Sequence, residues 1–439
     1  MDNPLLQRIL AHKRGRPVGM YSLCSANRFV LEAAMLQAKK DHSAILIEST
    51  SNQVDQFGGY TGMTPADFVA NVRAVARAAD FPFERIMLGG DHLGPNAWQH
   101  ETAKVAMANA TDLMRAYLAA GFQKIHLDAS MRCGDDPGDE HSTLPVEIAV
   151  ERSTALCKTC EEVCASYTST DRPLYVIGTE VPIPGGAKER LHDLAVTRVE
   201  DAENTIAMTK KAFLANGLTS AWERVIAVVV QPGVEFGDDT IIEYNRRNAK
   251  DLSGFIQRYD HLVYEAHSTD YQQPEALRQM VEDGFAILKV GPWLTFAFRE
   301  AVFALASLER EWLPSRKSIT MSAIIEMLDN AMLANPKYWR QHHRGDNAEL
   351  ALARRYSYSD RVRYYWSVAE VSAALSRLIA NLTEHPAPMP LLSQFMPAQY
   401  RAVKAGLIAN RPEELIHHKV MEITEIYSDA TRSGASNLN

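Results

Sequence analysis
The chain has 439 residues, 46% of them hydrophobic and 23% charged, with a formal charge of −8. That composition is globular rather than disordered, and the acidic balance argues against nucleic acid as a partner, because a phosphate backbone needs a basic surface. No run of about 18 apolar residues occurs, so no membrane span is expected.

The opening segment, MDNPLLQRILAHKRGR, lacks the uninterrupted apolar core of a signal peptide and reads as an amphipathic helix. Short β-branched runs then alternate with helical patterns: PVGMYSL, AILIES, IMLGGDH, KIHLDAS, LYVIGTE, VIAVVVQ, HLVYEAH and AILKVGP. Continuous apolar strands separated by helices predict parallel strands buried on both faces. Eight of them predict a (β/α)8 barrel over residues 1–310. After residue 310 only helical patterns remain, among them MSAIIEMLDNAMLAN and VAEVSAALSRLIANLTE, interrupted by PAPMP at 386–390. Residues 311–439 are therefore expected to be a helical region packed on the barrel, since its apolar faces need a partner. The cysteines, Cys24, Cys133, Cys157, Cys160 and Cys164, are few and odd in number, which fits a reducing, cytoplasmic setting. Cys157, Cys160 and Cys164 lie in a helical pattern and read as buried helix cysteines rather than a redox pair.

Barrel active sites sit where strands end and βα loops begin. Here nearly every strand ends in polar groups: Cys24, Ser25 and Asn27; Glu48, Asn52 and Gln53; Asp91 and His92; His126 and Asp128; Glu180; Gln231; Glu265, His267 and Asp270; and Lys289. In Gly89-Gly90-Asp91-His92, the His can bind a divalent ion while the Asp moves protons; a loop-tying His–Asp pair is the alternative. Glu265 and His267, like His126 and Asp128, share one face of their strand, as ligands or as internal pairs. Glu180 precedes a turn carrying Pro182, Pro184, Gly185 and Gly186. Lys289 within an apolar strand could form a Schiff base or an internal salt bridge. Arg361 and Arg363, in YSYSDRVRYYW, could clamp a phosphate or pack against aromatic rings. Nothing matches G-x-x-x-x-G-K-[ST], so a P-loop kinase and a nucleotide cofactor are not expected.

Over residues 15–300 these strand ends resemble class II fructose- and tagatose-bisphosphate aldolases, through PVGMYSLCSANRFVLEAAM, LGGDHLG, GFQKIHLDAS and VEDGFAILKVGP. The chain resembles more closely the accessory Z subunits of bacterial D-tagatose-1,6-bisphosphate aldolase, through ESTSNQVDQFGGYTGMTP, GGDHLGPN, IGTEVPIPGGA, VVVQPGVEF, YEAHSTDYQ and YSYSDRVRYYW. That resemblance implies a catalytic class II aldolase subunit as partner, a ketose or ketose phosphate as ligand, and a place in galactitol or amino-sugar breakdown. Self-association is left open. It also implies that Asp91 is the proton-transfer group and His92 the first zinc ligand. Where the aldolases have two further His ligands, Gln231 and Glu265 stand, with His267 two residues on. Ser268-Thr269-Asp270 replaces the glycine-rich phosphate loop, which implies little preference for phosphorylated sugars.

Residues and resemblance together give the expected site. Asp91, Glu180, Asp270 and Lys289 are assigned to chemistry, and Asn27, Glu48, Asn52, Gln53, Asp128 and Ser268 to the substrate. His92, Gln231, Glu265 and His267 are assigned to a divalent metal (Zn, Mn or Mg). The expected role is an accessory aldolase subunit. The alternative is a metal-dependent ketose C4-epimerase acting by retro-aldol and re-addition.

Overall fold
The computed structural model describes residues 3–138, 144–166, 172–179 and 194–432. Glu180 and the Pro182–Gly186 turn fall outside the described residues. The first six strands are β1 (Met20–Cys24), β2 (Ile45–Thr50), β3 (Ile86–Leu93), β4 (Lys124–Asp128), β5 (Leu174–Gly178) and β6 (Val225–Val229). A small antiparallel hairpin follows, β7 (Glu235–Phe236) with β8 (Ile241–Ile242), and then β9 (Val263–Ala266) and β10 (Ile287–Val290). Eight of these strands, all but the hairpin, pair in parallel and close a barrel in the order β1-β10-β9-β6-β5-β4-β3-β2. Each of the eight apolar runs supplies one barrel strand; the hairpin carries no apolar alternation of its own that would announce it.

Alternate residues of a barrel strand point inward, and the interior is layered accordingly. The lowest layer is apolar: Met20, Leu46, Met87, Val263 and Ile287 pack against Leu5 and Ile9 of the helix Pro4–Lys13, which closes the bottom of the barrel. Asn3 caps that helix by accepting from the N–H groups of Leu5 and Leu6. The middle layer is charged and the top layer carries histidines and carboxylates. Gly89 lies in register with Glu48 on one side and Lys124 on the other. A Cβ there would collide with the Glu48 side chain, so the glycine opens the space in which that charged layer sits.

Beyond the barrel, the apolar patterns form the helices Ile324–Ala334 and Ala369–Glu384, and PAPMP spans the break after the second and opens the helix Met389–Phe395. The helix Pro412–Arg432 packs against Arg28–Lys40 and Pro292–Trp312, burying Leu415, Ile416, Val420 and Tyr427. Tyr427 donates to the carbonyl of Thr269 at 2.7 Å, and Gly19 N–H donates to the carbonyl of Thr431 at 2.9 Å. The segment 356–366 reaches the upper rim, where Tyr271 donates to the Tyr358 carbonyl at 2.6 Å and Thr295 to Asp360 at 2.6 Å. Cys157, Cys160 and Cys164 are buried and unbridged in the helix Val146–Ser166.

We propose that residues 311–432 and the barrel fold as one unit. A chain truncated after residue 310 should aggregate or melt well below the full chain, because it exposes the apolar faces that the last helix covers. A soluble 1–310 fragment with an unchanged melting temperature would overturn this.

Candidate functional site
Asp91 and His92 are consecutive, and on a regular strand they would face opposite sides of the barrel wall. The pairing of β3 with β4 shifts register between Gly90 and Leu93, and His92 takes a left-handed backbone with φ 48°. Such a bulge re-aims side chains, and here it turns both residues inward. Asp91 Oδ1 lies 3.0 Å from His126 Nδ1, and the His92 ring lies 4.8 Å from the His267 ring. Ser268 also has positive φ, 53°. Non-glycine residues held in this region are strained and cluster at functional sites.

Beneath them lies a buried ion network. Lys124 Nζ sits 2.6 Å from Glu48 Oε1 and 2.6 Å from Glu265 Oε2. Lys289 Nζ pairs with Glu48 Oε2 and lies 2.7 Å from Asp91 Oδ1 and 3.8 Å from Glu265 Oε1. Burial alone would lower the pKa of both lysines. The adjoining carboxylates outweigh it and raise both, Lys289 strongly. Lys289 is thus held protonated, in the internal salt bridge rather than as a free amine for Schiff-base formation. Burial likewise works to raise Asp91, but the charges of His92 and Lys289 hold it well below the usual carboxylate range. His92 Nδ1 lies 2.8 Å from Asp128 Oδ2, and Asp91 and Asp128 raise its pKa against the effect of burial. His267 goes the other way, lowered to about 4 by burial.

One ligand atom each from Asp91, His126, Glu265 and His267 falls within 4.8 Å of the others. The Nε2 of His126 is buried without a hydrogen-bond partner, and Asp91, Glu48 and Glu265 carry one more charge than Lys124 and Lys289 balance. A divalent ion fits this set: its nitrogen and oxygen donors suit Zn²⁺ or Mn²⁺, and a cation would satisfy the buried imidazole. His92 adjoins the quartet, with its Nε2 3.7 Å from Asp91 Oδ2. Gln231 does not join it; its side-chain oxygen accepts from the N–H groups of Gly233 and Val234 at 2.8 and 3.0 Å and stabilises the loop after β6.

The cavity above the cluster is lined by Asn52, Gln53, Asp91, His92, His267, Ser268, Asp270 and Lys289, and also by Tyr60, Arg363 and Tyr364. Asn52 and Gln53 also brace their own loop, Gln53 Oε1 accepting from Thr50 N–H at 3.0 Å. Asp270 Oδ1 accepts from the N–H groups of Gly291 and Trp293 at 3.0 and 2.8 Å, yet burial raises its pKa to about 6. Three expected substrate contacts have other geometry. Asn27 caps the helix Arg28–Lys40 by accepting from Phe29 and Val30, Glu48 is fully engaged by the two lysines, and Asp128 is spent on His92 and Ser130. Sequence patterning left His126 open between a ligand and an internal partner of Asp128, and the expected metal set omitted it. It missed Lys124 and Glu235 altogether, the latter buried and raised to about 7 by that burial.

A family model described as D-tagatose-1,6-bisphosphate aldolase subunit GatZ/KbaZ-like matches residues 5–432. Among solved structures, the chain is similar to the crystal structure of a probable tagatose 6 phosphate kinase from Sinorhizobium meliloti 1021. The identity is 42% and the TM-score 0.85, over 94% of this chain and 100% of that one. It is also similar to the YdjI aldolase from Escherichia coli K12, at 10% identity and TM-score 0.41, over 89% and 97% of the two chains. The fructose-bisphosphate aldolase from Campylobacter jejuni gives 13% and 0.42, over 86% and 91%. Both aldolases are too distant to bear on the chemistry.

Two outcomes follow from the charges. Lys124→Met leaves Glu48 and Glu265 buried with one ammonium between them, and should cost about 3–5 kcal/mol in urea denaturation; a loss under about 1 kcal/mol would contradict the network. The second concerns Asp270, whose folded pKa lies above the ordinary 3.8. The folded state binds its proton more tightly, so its stabilisation is present below pH 3.8 and is lost as pH rises through about 6. Asn keeps an oxygen for both N–H groups without ionising. The melting temperature of Asp270→Asn relative to the parent should therefore rise from pH 4 to pH 7, and a pH-independent difference would contradict it.

Proposed function
The chain belongs to the GatZ/KbaZ-like family of D-tagatose-1,6-bisphosphate aldolase subunits, and from that premise we propose that its own barrel carries metal-assisted aldol chemistry on a ketose or ketose phosphate. The observation that supports this is the buried quartet Asp91, His126, Glu265 and His267, with one imidazole nitrogen left unpartnered. A divalent ion held by the quartet would supply Lewis-acid polarisation of the ketone oxygen and stabilise the negative charge that develops there.

The remaining roles belong to the side chains. Asp270 lines the cavity and, with its pKa near 6, is ionised at neutral pH while still close enough to it to take and return a proton. Asp91 is held too acidic to serve as that base and acts in holding the cluster, a different role from the proton transfer that the resemblance implied. Lys289 orients Asp91. The reaction that fits is cleavage between C3 and C4 of the ketose. Asp270 takes the proton of the C4 hydroxyl, the C3–C4 bond breaks, and its electron pair stays on the C3 fragment as an enediolate. Re-addition to the other face of the aldehyde, with return of the proton, inverts C4. Return of that proton to C3 of the enediolate and release of the two fragments instead would be aldolase activity. Neither outcome needs an oxidant or reductant.

A second reading, association with a catalytic aldolase subunit in galactitol or amino-sugar breakdown, is favoured by the family description as a subunit. It is compatible with the first. Phosphoryl transfer from a nucleotide is no part of the proposal, since no phosphate-cradling motif of the P-loop type occurs in the sequence.

The purified chain should contain Zn or Mn, and chelation should abolish C4 epimerisation of tagatose 6-phosphate. His267→Ala and His126→Ala should each lower that rate by at least about a hundredfold, as expected when several kcal/mol of Lewis-acid stabilisation are lost. Full turnover by metal-free protein would sink the reading.

A further inference from the structure
Barrels of this kind commonly bind phosphate at the loops after the seventh and eighth strands, at the N-terminus of a following helix. In this chain that place is taken by a carboxylate of its own. Asp270, after the seventh barrel strand β9, accepts from the N–H groups of Gly291 and Trp293, which open the helix Pro292–Trp312 after the eighth strand β10. A phosphate would meet negative charge there and find its donors occupied. The floor is no better suited to an anion, since it holds Glu48, Asp91 and Glu265.

The same cavity also has a cationic lining residue. Arg363 lies in the short 3-10 turn Arg361–Tyr365, contributed by the region after the barrel, and lines the same cavity as Asp91, His267 and Lys289. Its guanidinium donates to the carbonyls of Ser359 and Asp360 and to the Tyr364 hydroxyl. Among the described residues, no carboxylate lies within ion-pair distance of it. The contrast with its neighbours is clear: Arg299 pairs with Asp360, and Arg354 with Asp329. A half-buried guanidinium whose hydrogen bonds go to neutral acceptors, with Asp360 and Asp270 acting on it only from beyond ion-pair distance, can still take an incoming anion. Two tyrosines flank it, Tyr364 and Tyr60, whose rings meet edge to face at 4.5 Å. Burial would raise the Tyr364 phenol, but Arg363 and Arg361 lower it instead, which marks a positive field at this wall.

We propose that Arg363, flanked by Tyr60 and Tyr364, is the phosphate-reading residue of the site, binding the distal phosphate of a ketose phosphate whose carbonyl end faces the His126–His267 cluster. This deepens the reading given under Proposed function and rests on it. It also replaces the expectation, drawn from the missing glycine loop, that phosphorylated sugars are little preferred: recognition has moved from the barrel's loops to the segment after the barrel.

The test compares binding of D-tagatose 6-phosphate and D-tagatose to the full chain by calorimetry, with Mn²⁺ binding measured on the same samples. The parent should prefer the phosphorylated sugar by about tenfold or more, the scale of one charge-assisted bidentate contact. Arg363→Gln should remove that preference while leaving D-tagatose and Mn²⁺ binding unchanged, which a merely structural role would not do. Arg363→Lys keeps the charge but loses the planar fork, and its preference should fall severalfold; it decides the matter if the Gln variant does not fold. An unchanged preference in the variants, or none in the parent, overturns the proposal. Failure of the parent to bind Mn²⁺ counts against the metal reading, and the phosphate preference is scored separately from it.

Discussion
Lys124 has no contact with solvent and is held at 2.6 Å by a carboxylate on either side, Glu48 and Glu265. Neither lysine nor carboxylate could be buried alone, because an unpaired ion in a protein interior is far too costly. Each therefore fixes the position of the next. Glu48 also receives Lys289, Lys289 reaches Asp91, and Asp91 receives His126. The chain of pairs joins β2, β3, β4, β9 and β10 across the barrel interior, so strand register and site geometry are one problem. A slip of one residue on any of these strands would turn its charge into the apolar layer of surrounding helices.

The same network gives two imidazoles of the top layer opposite proton affinities. His92 is raised by Asp91 and Asp128, while His267 is lowered to about 4 by burial. A neutral imidazole is the form that binds metal. His267 is therefore held in the metal-binding form, His126 presents an unpartnered Nε2, and His92, whose Nδ1 bonds Asp128, keeps its Nε2 beside Asp91. Lys289 contributes by being locked: its ammonium keeps Asp91 ionised and pointing into the quartet.

Much of this was legible in the sequence, for identifiable reasons. Continuous apolar runs such as AILIES and VIAVVVQ mark buried parallel strands without further information, and the helical patterns at 321–335 and 368–384 became helices because each has one apolar face. The motif resemblance and the family model agree on the family. Other features depended on facts that no local pattern carries. The alternation rule gave His126 and Asp128 equal standing, and only the partners across the barrel separate them. The bulge between Gly90 and Leu93, which brings Asp91 and His92 to one side, is a backbone choice made by pairing with β4. Gln231 was placed among the metal ligands by alignment, but the turn after β6 uses its amide oxygen for two of its own N–H groups. Lys124 passed unnoticed because a lysine at the start of a strand usually lies in solvent.

The energetics speak against a site kept only as a relic. Replacing a buried ion network by well-packed apolar residues is often neutral or stabilising by about 1–4 kcal/mol, so stability alone does not account for five charges at the centre of the barrel. The strain at His92 and Ser268 adds a cost of about 1–3 kcal/mol each, and the unpartnered imidazole of His126 adds a desolvation penalty. All of these costs fall in one place, beside one cavity, part of whose lining is supplied by a segment more than 60 residues after the last barrel strand at Val290. A supporting subunit needs its outer surface kept intact and has no use for that interior. The interior makes sense if a ligand with a polar, metal-seeking end and an anionic end spends time inside it, whether or not another chain is bound outside.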